Sequence, residues 1–222
     1  MKKILLVEDR AKRQQLFMND TQIDLTRYCD ILDNYIEDKY NQCLNELLLN
    51  NFNLNQYDII ISHKSAFGED NNKILHLLKE HCKEHKKSLI LFSGGISANY
   101  YNNEIYEVLE LNSKTFYSEN LKLFLESVEK EDENILMLCY GNRWKLNIIL
   151  NILEKLNLFI EKNQDLKDIQ YSELSIDVDI DKLNKIDYKF YEMIIENGWV
   201  YLMSIIQLRD SIFNYISELA DE

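Results

Sequence analysis

Residues 4–9 read Ile-Leu-Leu-Val-Glu-Asp, a four-residue apolar run followed directly by two acids. A similar arrangement occurs at residues 58–63, where Asp-Ile-Ile-Ile-Ser-His ends in a histidine. Short continuous apolar runs are typical of strands that are buried on both faces of a parallel sheet. Because ligands gather beyond the carboxyl ends of such strands, we expect the polar residues that follow these runs to lie at one site.

Apolar runs alternate with segments of helical period over the first 130 residues. This alternation predicts an α/β fold, in which five βα units wind into one parallel sheet with helices on both faces. The predicted strands lie near residues 4–7, 28–32, 58–61, 88–92 and 108–111. The predicted helices lie near residues 10–19, 36–49, 73–86, 103–106 and 118–129.

A charged run at residues 129–134, Glu-Lys-Glu-Asp-Glu-Asn, is the best candidate for a domain boundary. It predicts a first domain over residues 1–131 and a second, acidic domain over residues 134–222. Helical periodicity at residues 144–160, 181–196 and 199–219 predicts that the second domain is mainly α-helical. The last two helices carry more apolar surface than one helical hairpin can cover, so they should pack on the first domain or on a second copy of the chain.

The composition disfavours several classes of partner. The formal net charge is −13, and neither half of the chain has the basic excess that binding to nucleic acid requires. No segment approaches the roughly 18 uninterrupted apolar residues of a membrane span, and the start of the chain does not resemble a signal peptide. The 4 cysteines form no Cys-x-x-Cys pair, which suits reduced thiols. We therefore expect a cytoplasmic protein with no membrane partner.

The polar residues after the predicted strands resemble the active-site frame of the response-regulator receiver family. Glu8 and Asp9 follow the first strand, Ser93 lies 30 residues after His63, and Lys114 lies 21 residues further on. A Lys-Thr-Phe sequence from Lys114 onward is similar to the family's Lys-Pro-Phe signature. The resemblance covers residues 1 to about 130 and implies a flavodoxin-like, five-stranded parallel sheet.

By that resemblance, Glu8 and Asp9 would hold a magnesium ion, Ser93 would sense a phosphoryl group and Lys114 would contact the phosphoryl oxygens. His63 stands where the family has the aspartate that accepts the phosphoryl group. This replacement removes the nucleophile and one carboxylate ligand together, so it leaves at best a weak magnesium site at Glu8 and Asp9. We expect no required cofactor, no catalytic residue and no ordinary phosphorylation on aspartate.

These residues favour a non-catalytic pseudo-receiver that acts in two-component or phosphorelay signalling through protein contacts. The expected surfaces lie near residues 103–129, by analogy with the family, or on the helices of residues 181–219. They would bind a protein partner or form a homodimer.

Two alternatives remain open. The crevice could bind, or turn over, a phosphorylated small molecule between Lys114, Ser93 and the Gly94-Gly95 loop. The chain could also be an atypical response regulator with a DNA-binding output, which its charge disfavours. His76, His81, Cys82 and His85 lie close together in sequence, but their spacing favours a solvated helix over a zinc site.

Overall fold

A computed structural model describes residues 2–33, 45–49, 51–103, 105–131, 133–165, 168–170 and 199–220. The chain forms two compact units, residues 1–144 and residues 145–222. In the part of the chain that the structure describes, no helix is long and apolar enough to cross a membrane.

The first unit is an α/β fold built on a mostly parallel sheet of six strands. The strands are β1 (Ile4–Glu8), β2 (Cys29–Asp33), β3 (Ile59–His63), β4 (Ser88–Ser93), β5 (Tyr100–Asn102) and β6 (Val108–Asn112). Their order across the sheet is β2-β1-β3-β4-β6-β5, and only β5 runs antiparallel to its neighbour. The five parallel strands follow the order 2-1-3-4-5 of flavodoxin-like sheets, so the architecture is compatible with that fold.

The prediction of a five-stranded sheet is wrong by one strand. Residues 100–102 form the edge strand β5, and they pair with β6 through Tyr101 opposite Leu109 and Tyr100 opposite Glu110. The predicted helix near residues 103–106 is absent from the described residues on either side of position 104. Two adjacent tyrosines suit an extended strand, and pairing with β6 supplies the hydrogen bonds that a single helical turn would have to supply itself.

Helices cover both faces of the sheet. The helices of the first unit are α1 (Ala11–Thr21), α2 (Asn71–His85), α3 (Ser113–Phe116), α4 (Glu119–Glu129) and α5 (Met137–Tyr140). Alternate strand residues enter two separate cores, with Ile4 and Leu6 in one and Leu5 and Val7 in the other. The first core includes residues of α1, α4 and α5, and the second includes residues of α2. Because both faces are covered, every residue of β1 and β3 is buried.

Residues 135–140 belong to the first unit, although we assigned them to the second domain. Ile135, Met137 and Leu138 are buried in the same core as the α4 residues. Lys2 also pairs with Glu133 across 2.6 Å. The described part of the charged run, exposed at residues 129–131, therefore does not end the first unit, and the division between the units falls after residue 144.

The second unit contains helices and a small sheet. Helix α6 (Trp144–Lys162) begins where the helical stripe predicts, and α7 (Leu202–Ala220) ends the described chain. Strands β7 (Asp168–Gln170) and β8 (Trp199–Tyr201) form an antiparallel pair. Residues 199–201 are thus a strand and not the start of the last helix. The predicted helix at 181–196 lies outside the described residues, as does most of the one at 36–49, of which residues 45–48 are helical.

Candidate functional site

Two neighbouring strands bring Glu8, Asp9 and His63 together. β1 and β3 are hydrogen-bonded in parallel with Val7 opposite Ser62, so both strands end at the same edge of the sheet. His63 Nδ1 lies 2.5 Å from Asp9 Oδ1 and 3.7 Å from Glu8 Oε1. We call these three residues the Glu-Asp-His cluster. It contains one ligand atom from each residue within 4.8 Å of the other two, and no other such group of three exists among the described residues.

Glu8 is fully buried and is held by two hydrogen-bond donors and one ion pair. The Tyr117 hydroxyl donates to Glu8 Oε2 at 2.8 Å, and the Arg10 backbone N–H donates to Glu8 Oε1 at 3.1 Å. The Arg13 guanidinium lies 4.0 Å from Oε2. Burial is the largest influence on this carboxyl and raises its pKa to about 7, with a further rise from the adjacent Asp9.

His63 is fixed between Asp9 and an aromatic ring. Its side chain is 2% exposed, and its ring lies 5.3 Å from the ring of Phe92, centroid to centroid. Asp9 is the more accessible partner, with 23% of its side chain exposed. Partial burial is the largest single influence on Asp9 and tends to raise its pKa. The hydrogen bonds with His63 and Glu8 and the charge of His63 together outweigh burial, so the pKa lies below its ordinary value. The imidazole therefore engages Oδ1 of Asp9.

Sequence reasoning missed Arg13 and Tyr117, although both reach Glu8. A signal for Arg13 exists, because it lies one helical turn after Asp9 at the start of α1 and so stays near the strand ends. Tyr117 follows the buried Phe116 of the Lys-Thr-Phe sequence. Burial raises the pKa of the Tyr117 phenol, and the Glu8 carboxyl raises it further, so this hydroxyl remains a hydrogen-bond donor.

Ser93 and Lys114 lie at the same edge of the sheet but do not join the cluster. Ser93 ends β4, and its hydroxyl accepts a hydrogen bond from the Gly95 backbone N–H at 3.4 Å. Lys114 lies two residues beyond β6, in the first turn of α3, and is exposed. Within the described ranges, no hydrogen bond or ion pair joins either side chain to Glu8, Asp9 or His63. Among the described residues, Arg13 and not Lys114 is therefore the cation beside Glu8.

Lys114 lines a different cavity. A cleft of about 1210 Å³ lies beside the cluster, between α1, the loop after β4 and the start of α4. Its cationic residues are Arg13 and Lys114, and Gly94 also lines it, whereas Ser93 and Gly95 do not. A Cβ atom added at Gly94 would meet nothing within 4 Å, so packing within the protein does not require glycine there.

The donor set of the Glu-Asp-His cluster does not suit magnesium. Magnesium prefers octahedral coordination by oxygen, and it binds through carboxylates, phosphates and retained waters. Here an imidazole nitrogen stands where a third carboxylate would complete an all-oxygen set, and it already contacts Asp9. The resemblance-based assignment of magnesium to Glu8 and Asp9 therefore fits this geometry poorly.

The histidines of α2 do not form a comparable cluster. The rings of His81 and His85 lie 4.6 Å apart, centroid to centroid, as expected for residues one turn apart. Cys82 is instead buried in the second core. Burial lowers the pKa of His81, and the neighbouring His85 lowers it further. This helix face is solvated at Lys83, Glu84 and His85, as the spacing predicts.

Comparison with known proteins gives no match to any family model, to any curated protein or to any solved structure.

Proposed function

We propose that the first unit is a receiver-like signalling module that does not catalyse its own phosphorylation and acts through protein contacts. The observation that carries this proposal is the state of position 63. A histidine with a 2% exposed side chain occupies the end of β3, and its Nδ1 contacts Asp9 at 2.5 Å. A receiver with this arrangement has neither a carboxylate nucleophile nor the all-oxygen ligand set for the magnesium ion that phosphoryl transfer needs.

The order of the parallel strands supports the receiver-like part of the proposal. The acids, the histidine and the serine end β1, β3 and β4, or follow directly, at the edge where such sheets bind their ligands. Phosphorylation of His63 itself is disfavoured by the same geometry, because the nitrogen that faces the crevice is engaged by Asp9 and the ring is buried. The input to the module is then something other than a covalent phosphoryl group.

The proposed contact surface lies along residues 100–129, at the β5 side of the sheet. The region differs from the expected helix-strand-helix face, because an edge strand stands where a helix was expected. Tyr100 and Ile105 are 54% and 61% exposed, which is unusual for large apolar side chains next to a sheet edge. A protein partner or a second copy of the chain that covers this edge would bury both side chains.

Intact mass measurement after incubation with a small phosphodonor and Mg²⁺ tests the missing acceptor. We expect no added phosphoryl group on the wild-type chain, and we expect His63→Asp, which restores a carboxylate at position 63, to gain one. The measurement is made at neutral pH so that an acid-labile phosphohistidine would survive. A stable increase on the wild type that His63→Asn abolishes would overturn the proposal.

A second candidate function is the binding of a phosphorylated small molecule, and the cleft beside the cluster favours it. Arg13 and Lys114 supply two cations to a cavity large enough for a nucleotide or sugar phosphate, and Asp20 and Glu119 supply two carboxylates to the same cavity. Thermal unfolding in the presence of such compounds, for the wild type and for Lys114→Ala, tests this function. Stabilisation of the wild type that the variant loses would support it, and no shift with any compound would count against it.

A further inference from the structure

Three possible metal ligands of two chemical kinds meet at the ends of β1 and β3. Two carboxylates and one imidazole each place one ligand atom within 4.8 Å of the other two, and His63 Nδ1 lies 3.7 Å from Glu8 Oε1 and 2.5 Å from Asp9 Oδ1. Imidazole nitrogen suits zinc and the neighbouring divalent transition metals, whereas magnesium and calcium prefer oxygen alone. We infer that the Glu-Asp-His cluster is a binding site for a divalent transition-metal ion, and Zn²⁺ is the probe that fits it best.

The distances within the cluster are close to those that zinc needs. Ligand atoms at about 2.0–2.2 Å from a tetrahedral zinc ion lie about 3.4 Å from one another. His63 Nδ1 and Glu8 Oε1 are already 3.7 Å apart. The contact of 2.5 Å between His63 and Asp9 must lengthen by less than about 1 Å. Asp9 is the most exposed of the three and the one with the most room to move, so Glu8 and His63 can keep their positions.

Neighbouring groups hold Glu8 and His63 in place from outside the site. Tyr117 and Arg13 lie at Oε2 of Glu8. Oε1 accepts a hydrogen bond from the Arg10 backbone N–H, and it is the oxygen that lies toward His63. The Phe92 ring fixes one side of the imidazole. Outer partners of this kind orient metal ligands and raise the affinity for the ion. The buried half of the site is thus preorganised for binding.

Solvent reaches the cluster from one direction. The side chains of Glu8 and His63 are 0% and 2% exposed, whereas that of Asp9 is 23% exposed. Three protein ligands leave a fourth tetrahedral position open, and exposure on the Asp9 side gives that position a route to solvent. A bound ion could therefore exchange and could accept a ligand from outside the chain.

The inference deepens the proposed function and rests on it for the loss of the acceptor role at position 63. A metal ion would bridge β1 and β3 where the receiver family has a covalent phosphoryl group, so metal occupancy becomes the input of the module. The two proposals fail separately. A phosphorylated wild type would overturn the first through a mass measurement, while the second depends only on metal binding.

Calorimetric titration of the full-length, metal-free chain with Zn²⁺, in the presence of a phosphine reductant, tests the site. The test variant is His63→Asn, which keeps a polar side chain and removes the imidazole. The matched control is His85→Ala, which removes an exposed histidine of the His81 and His85 pair. We expect one tight Zn²⁺ site in the wild type and in the control, and binding at least about tenfold weaker in His63→Asn. Equal affinity in the wild type and His63→Asn, or no Zn²⁺ binding at all, would overturn the inference.

Two further variants show whether weaker binding arises from misfolding and whether the imidazole determines the preference for Zn²⁺ over Mg²⁺. Asp9→Asn changes the most exposed ligand and should weaken Zn²⁺ binding by about tenfold while circular dichroism stays native. His63→Asp makes the ligand set all-oxygen, so the ratio of Zn²⁺ to Mg²⁺ affinity should fall by about tenfold or more relative to the wild type. An unchanged ratio in His63→Asp would show that the imidazole is not a ligand.

Discussion

The Glu-Asp-His cluster lies at the same edge of the sheet as Ser93 and Lys114, which we call the Ser93–Lys114 side. The two regions differ in burial and in the contacts of their side chains. In the cluster, side chains are buried, interlocked and held by outer partners. On the Ser93–Lys114 side, Ser93 is half-buried, Lys114 is exposed, and a wide cleft opens beside them.

The difference arises from which strands are neighbours and where each one ends. β1 and β3 are adjacent and end together, so residues 8, 9 and 63 must meet. β6 ends at Asn112, whose side chain caps α3 by accepting a hydrogen bond from the Lys114 backbone N–H at 2.9 Å. The chain therefore turns into a helix before Lys114 is reached. The five candidate site residues match one family frame in sequence, but among the described residues no hydrogen bond or ion pair joins Lys114 to the Glu-Asp-His cluster. The two sets of residues can therefore be tested separately.

The largest effect that distinguishes the two halves is expected from His63→Ala. The substitution removes the partner of Asp9 and leaves the buried Glu8 beside an unfilled space, so we expect a loss of about 2–4 kcal/mol in the free energy of unfolding. Urea unfolding followed by circular dichroism measures it. His85→Ala, at an exposed position, should change that free energy by less than about 0.5 kcal/mol. Similar losses in the two variants would show that the cluster is not an interlocked unit.

A smaller loss is expected from Tyr117→Phe. The phenol is the side-chain hydrogen-bond donor to Glu8 Oε2, and a fully buried carboxyl that loses a donor is destabilising by about 1–3 kcal/mol. The control is Tyr101→Phe, which removes a hydroxyl that donates to Glu107 across 3.2 Å near the sheet edge. The control should lose about 1 kcal/mol or less. If Tyr117→Phe lost no more than its control, the hydroxyl would not be needed to keep Glu8 in place.

The smallest effect is expected on the other side of the comparison, from Lys114→Ala. The side chain is exposed and makes no hydrogen bond or ion pair within the described chain, so the free energy of unfolding should change by less than about 0.5 kcal/mol. The control Lys87→Ala removes an ammonium that donates to the carbonyls of Leu54, Asn55 and Tyr57. That loss should reach about 1–3 kcal/mol. Comparable destabilisation of Lys114→Ala would indicate that Lys114 has a structural role after all.

Continuous apolar runs made most of the strands of the first unit predictable. The strands near residues 4, 59, 88 and 108 begin within a residue of their predicted positions, because burial on both faces requires uninterrupted apolar sequence. The strands that the sequence did not predict are the three-residue strands at 100–102, 168–170 and 199–201. A strand of three residues has no period of its own, and its stability comes from hydrogen bonds to a neighbour that is distant in sequence.

The domain boundary shows a similar limit. A run of charged residues predicts exposure, and Glu131 and Glu129 lie on the surface or close to it. An exposed segment does not mark the end of a hydrophobic core, because the chain after it can pack into the same core again. Ile135 and Leu138 return to the first core, so α5 stays with the first unit.

The sequence by itself determined the α/β class, the strands that carry the candidate site and the types of side chain at positions 8, 9, 63, 93 and 114. It did so because the pattern of apolar residues is a local property of the chain, and the residue that follows each apolar run can be read directly from the sequence. Only the tertiary structure decided which of these residues touch: the pairing of β1 with β3 joins Glu8, Asp9 and His63, and the capped start of α3 leaves Lys114 apart. It also brought in Tyr117, which lies 109 residues from Glu8 along the chain, because contacts across a folded core depend on packing and not on distance in sequence.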